Sequence, residues 1–134
     1  MPKHRRLLQG VAAVYALGVL AIVGAADTGT LAWIHGALHA IPLGDKLGHF
    51  GLMGVLAFVF DLALDTRTWN ITERVSVRVG STVVLVLVIL EEISQIWLPA
   101  RNFDWGDLTA DALGIACGGV LARSLVHRCL RVSH

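Results

Sequence analysis

The chain has 134 residues, of which 55% are hydrophobic and only 16% charged, with a formal net charge of +1 and a mean hydropathy of +0.68. An ordinary soluble domain is about 45–50% apolar and about 25% charged, so this composition speaks for a membrane protein and against a free-standing soluble domain. No nucleic-acid partner is expected; the expected surroundings are a lipid bilayer.

A helix that crosses a bilayer needs about 20 apolar residues. Four stretches meet that length approximately, at 7–26, 47–64, 77–98 and 108–126. They are unbroken rather than alternating, which argues against a β-barrel. The expectation is an all-α fold, a four-helix transmembrane bundle forming one integral membrane domain over residues 1–134.

In the first span, Lys3, Arg5 and Arg6 precede an apolar core that ends in Gly24-Ala25-Ala26. That pattern also resembles a secretory signal peptide, but a run of about 20 apolar residues is long for one. Next, Thr30 is placed to cap a short helix running to Ala40, with Leu31, Ile34 and Leu38 on one side. This piece is expected to lie at the outer interface with Trp33 as its anchor. His35 and His39 share a face there and could complete a metal site only if that helix folded over the site described below. In the second span, Gly44, Gly48 and Gly51 suggest close helix packing. The connection from Asp65 to Ser76 reads as a solvated cytoplasmic turn with weak local ion pairs, and Asp61 as near enough to that end to reach water. In the fourth span Gly114 and Gly118 form a small-xxx-small pair, which lets helices approach closely. On a helical wheel they fall within about 60° of Asp107 and Asp111, so the acidic face is also the packing face. Cys117 and Cys129 lie about 18 Å apart along one helix axis and cannot pair within it. Trp33, Trp69, Trp97 and Trp105 all fall at span boundaries, as an aromatic belt requires.

Basic residues set the orientation. Lys3, Arg5 and Arg6 precede span one, Arg67, Arg74 and Arg78 flank the second connection, and Arg123, Arg128 and Arg131 end the chain. The other two connections carry only Lys46 and Arg101. Both termini are therefore expected in the cytoplasm, with residues 27–46 and 99–106 on the outer side of the membrane.

Three polar clusters then fall at the outer ends of spans two, three and four. They are Asp45-Lys46-x-x-His49; Glu91-Glu92-x-x-Gln95; and Arg101-x-x-Asp104-x-x-Asp107-x-x-x-Asp111. Glu92 lies about 10 Å below the end of its span, deeper than a capping role requires. Six acids, Asp45, Glu91, Glu92, Asp104, Asp107 and Asp111, face two bases, Lys46 and Arg101. Crowded and desolvated carboxylates resist common ionisation, so the pattern calls for protonated acids, a bound cation or a cationic ligand group.

The series Asp45-Lys46-x-x-His49-Phe50, Glu92-x-x-Gln95 and Arg101-x-Phe103-Asp104-x-x-Asp107-x-x-Ala110-Asp111-x-x-Gly114 resembles the VanZ-like family of small bacterial membrane proteins, over residues 44–119. The family usually has Asn where this chain has Asp111, and Glu91 is an added acid beside Glu92. The resemblance implies a tie to low-level teicoplanin resistance, and hence a lipid-anchored envelope precursor or a lipoglycopeptide as partner.

Three readings of the clusters follow. In the first, Asp45, Lys46, His49, Glu92, Gln95, Arg101 and Asp107 interlock three helix ends, with Asp107 capping the last span. In the second, Asp45, Lys46, Gln95, Arg101, Asp104, Asp107 and Asp111 bind an amphiphilic envelope molecule, with Lys46 and Arg101 holding its phosphate or carboxylate. In the third, the protein is an intramembrane enzyme with His49 and Glu92 as catalytic groups. There His49 is either a general base oriented by Asp45 or, with Glu92 and Asp107, a ligand to a divalent cation. One histidine among oxygens would suit Mg²⁺ or Mn²⁺ better than zinc.

Overall fold

Lipid offers a peptide backbone no hydrogen-bond partner, so each crossing segment must satisfy its own amides, and a helix does so. The computed structural model of the chain describes residues 2–73, 76–97 and 104–132. Its elements are α1 (Pro2–Asp27), a short α2 (Ala32–His39), α3 (Gly44–Ala63), strands β1 (Thr68–Asn70) and β2 (Ser76–Arg78), α4 (Val79–Ser94) continued by a 3-10 turn (Gln95–Trp97), and α5 (Trp105–Val132). Four segments are long and apolar enough to cross a membrane: Arg6–Ala26, Gly44–Ala63, Val79–Trp97 and Trp105–Arg128. This is the architecture of a multi-pass membrane protein, with the fold class expected from the four apolar runs.

Helix α3 is the hub. It packs along α5 over most of its length and also touches α1, α2 and α4, while α4 packs on α5. The α3–α5 contact is close because glycines meet backbone there. A Cβ on Gly114 would strike the Phe50 carbonyl, and one on Gly118 the Gly54 carbonyl. Gly114 and Gly118 thus pack as their spacing suggests, but the glycine opposite them is Gly54. Gly48 and Gly51 meet nothing within 4 Å. Around this seam Val19, Met53, Leu56, Ala57, Val84, Val88 and Ile115 form the core. Leu20 and Leu121 are 66% and 61% exposed, as residues facing acyl chains would be. The Tyr15 hydroxyl of α1 donates to the Leu52 carbonyl of α3 at 3.2 Å.

Two local expectations change. The second connection is a short antiparallel hairpin, pairing Thr68 with Arg78 and Asn70 with Ser76, rather than a plain turn. Asp61 does not reach water; it is fully buried. Its carboxylate accepts from the Ser81 amide at 2.9 Å and the Ser81 hydroxyl at 2.6 Å, and Arg78 Nε lies 3.1 Å away. Chain reversal brings the start of α4 onto the end of α3, so a carboxylate near a helix end is covered. Thr30 does not cap α2, which begins at Ala32; its hydroxyl lies 2.9 Å from that of Thr28. All four tryptophans are exposed.

Candidate functional site

The first turn of a helix leaves amide groups without intrahelical partners. In α5 that need is met by Asp104, immediately before the helix. Its Oδ1 accepts from the Gly106 amide at 2.6 Å, and its carbonyl accepts from Asp107 and Leu108 at 3.1 and 3.2 Å. The cap expected of Asp107 therefore falls to Asp104, because α5 begins at Trp105. Asp104 also ties in the other two helices. Its own amide donates to Glu92 Oε1 at 2.8 Å, and its Oδ2 accepts from Lys46 Nζ at 2.9 Å. The same ammonium donates to Asp107 Oδ1 at 2.9 Å. Gly106 makes room for it, since a Cβ there would lie 2.6 Å from Lys46 Nζ. The Lys46 hydrogen bond first, and the Gly106 amide second, hold the Asp104 carboxyl below its ordinary pKa.

His49 stands one turn deeper on α3. Its Nδ1 is 3.2 Å from both carboxylate oxygens of Asp111, which is 1% exposed, and its Nε2 is 3.7 Å from Asp107 Oδ2. The carboxylate that orients the imidazole is thus Asp111 and not Asp45. Helix crossing decides this: the Gly114 contact draws α5 onto α3, and Asp111 lies one turn before Gly114 on the same face.

Glu92 and Gln95 are buried at 0% and 1% exposure. Gln95 donates to Glu91 Oε1 at 2.6 Å, one turn back, rather than to Glu92. Glu92 Oε2 and Gln95 Oε1 have no hydrogen-bond partner among the described residues. Unsatisfied buried oxygens are costly, and such groups invite a functional explanation.

The structure therefore gathers Asp45, Lys46, His49, Glu92, Gln95, Asp104, Asp107 and Asp111 at one end of the bundle. Arg101 lies outside the described residues, as do the side chains of His35 and His39. Among the described residues no three His, Cys, Asp or Glu side chains are arranged to hold a metal ion. The set His49, Glu92 and Asp107 does not fit one, since Lys46 sits on Asp107 and Glu92 turns to the Asp104 amide.

Beside this cluster a pocket of about 220 Å³ opens between α1, α2 and α3. Its walls are apolar, with Ile22 and Val23 from α1, Ile34 from α2 and Leu52 from α3; Asp45, His49 and Glu91 supply charged or titratable groups. Sequence reading counts Glu91 among the six outer acids but gives it no ligand role, and it misses the part played by α2. The apolar side of α2, with Leu31 and Ile34 in register, was the available signal.

Comparison with known proteins gives no family model, no curated protein and no solved structure that matches the chain.

Proposed function

We propose that this end of the bundle binds an amphiphilic molecule of the bacterial cell envelope. The apolar part enters the pocket between α1, α2 and α3, and the polar group meets Asp45, His49 and Glu91. The observation that carries this reading is the pocket itself, apolar along its walls and acidic at one edge. Lys46 is held by Asp104 and Asp107, so the described pocket lining favours a ligand whose head group carries an amine or other hydrogen-bond donors. The VanZ-like resemblance narrows the class to a lipid-linked wall precursor or a lipoglycopeptide. The distribution of basic residues supports a site open to the exterior, in a bacterial cytoplasmic membrane with both termini inside.

A second reading has one observation in its favour. The His49–Asp111 pair is the arrangement by which a carboxylate orients an imidazole as a general base, and it would serve an intramembrane enzyme acting on the same lipid.

The test uses purified protein in detergent and a fluorescent long-chain amine. Gly48 borders the pocket and has open space around its Cβ position, so Gly48→Leu should fill the cavity without disturbing the helix. Gly48→Leu and Asp45→Asn are each expected to weaken binding about tenfold, the effect of about one lost charged contact or its equivalent. Unchanged affinity in both variants would overturn the proposal. Time-dependent product from labelled envelope lipids, abolished by His49→Gln, would select the enzyme.

A further inference from the structure

The opposite end of the bundle carries a second polar feature that the amphiphile pocket does not use. A cleft of about 500 Å³ lies between the hairpin and the last turns of α5. Thr66, Thr68 and Ser76 contribute hydroxyls, Arg78 and Arg123 guanidinium groups, and His127 an imidazole. Among the described residues no carboxylate lines it.

Arg78 is built into this position rather than waving in solvent. The buried carboxylate of Asp61 lies 3.1 Å from its Nε on one side. On the other, α5 offers Gly119, where a Cβ would lie 2.6 Å from Arg78 Nε and 2.7 Å from Nη2. A side chain at position 119 would push the guanidinium and the Ser81 hydroxyl aside. The Asp61 contact is an ion pair without an aligned hydrogen bond, and Arg78 Nε is a buried donor with no acceptor among the described residues. Each Asp61 oxygen meanwhile accepts one hydrogen bond from Ser81. Arg123 sits across the cleft, its Nε donating to His127 Nε2 at 3.3 Å.

We propose that this cleft is a phosphate-binding site. Guanidinium groups recognise phosphate by paired N–H donors, and here two of them face one cleft beside the Thr66 and Thr68 hydroxyls, with no carboxylate among its described lining residues. The Ser76 hydroxyl donates to Asn70 Oδ1 at 2.8 Å, and Asp61 pairs with Arg78 at its Nε. Basic residues scattered at a membrane surface would be solvated one by one. Here one is packed against a glycine and held by a buried acid, so its donors are fixed before any ligand arrives. The cleft lies at the end of the spans, where a phospholipid headgroup and a soluble phosphate can both reach it.

The experiment compares wild-type protein in detergent with the double variant Arg123→Gln, His127→Gln. Both residues are exposed, so the fold does not rest on them. Binding is read by native mass spectrometry with short-chain phosphatidic acid, and by thermal shift with inorganic phosphate. Wild-type protein is expected to retain phosphatidic acid over phosphatidylcholine, and the double variant to lose about tenfold in affinity. Binding of phosphatidic acid alone assigns the site to a lipid headgroup. Binding of both probes assigns it to phosphate in general. Equal retention of both lipids by wild type together with no phosphate shift, or equal binding in the double variant, would overturn the proposal.

Discussion

The two ends of the bundle handle buried acid in opposite ways. At the hairpin end, each oxygen of Asp61 is engaged, with Ser81 giving two hydrogen bonds and Arg78 a charge. At the other end, Lys46 serves Asp104 and Asp107 together, His49 serves Asp111, and Glu92 keeps an oxygen without a partner among the described residues. The first arrangement satisfies the carboxylate and leaves the spare donor on its partner, since Arg78 Nε has no aligned acceptor among the described residues. The second leaves Glu92 Oε2 unmatched among the described residues, while Asp45, His49 and Glu91 of the same end line the pocket. The contrast teaches that a buried carboxylate is informative through what it leaves unsatisfied, not through its burial alone.

The comparison assumes that the α3–α5 seam holds both ends in register, and the largest expected effect tests this. Gly118→Val would drive a side chain into the backbone at Gly54 and Phe58. Overpacking of this kind costs about 3 kcal/mol or more where backbone must move. Loss of the monodisperse peak on size-exclusion chromatography is the expected outcome, and a normally folded variant would show that the ends are held independently.

Asp61→Ala comes next. It strands a largely buried Arg78, whose side chain is 20% exposed, and removes the acceptor of two Ser81 bonds. A stability loss of about 2 kcal/mol is expected in reversible denaturation, discounted from a fully buried pair for the exposure of Arg78. Glu92→Gln should behave differently. The amide oxygen can still accept from Asp104, so the change is expected to stay within about 1 kcal/mol. If Glu92→Gln proves as harmful as Asp61→Ala, the two ends are alike and the contrast fails.

The smallest effect is one of pH. The Asp104 carboxyl titrates below its ordinary value near 3.8 because the Lys46 hydrogen bond favours its anion. Its share of stability is therefore complete above that ordinary value and is lost as pH falls through the lower folded one. Wild-type protein should lose thermal stability more steeply below about pH 4 than Asp104→Asn does. Parallel curves for the two would remove Asp104 from the joint.

Much of this fold was legible because it depends on length and apolarity, which a chain displays openly. The four spans and the Gly114–Gly118 face are of this kind. Pairings between helices were not. His49 is one turn from Asp45 in sequence, yet it turns to Asp111, because the rotation of α5 about its axis is fixed by Gly54 meeting Gly114 and Gly118. Asp61 looked open to water because depth was judged from the end of its own helix, whereas Gly80 and Ser81 at the start of the next one cover it. The run Arg78-Val79-Gly80-Ser81 after the connection was a signal for that closure: a charge, a small residue for close approach and a hydroxyl donor. The cap at Asp104 was misplaced by three residues, since helix starts are the least certain part of any sequence reading.

One consequence follows from the hydrogen bond of Tyr15 to the Leu52 carbonyl. Helix α1 forms one wall of the pocket, and among the described residues this is the one side-chain hydrogen bond, beside the apolar packing of Val19, that joins it to the neighbour bearing His49. None of the ionic latches between α3, α4 and α5 involves it. For the ligand proposed above, the α1 wall is therefore the one held by apolar packing and a neutral hydrogen bond, with no ion pair among the described residues.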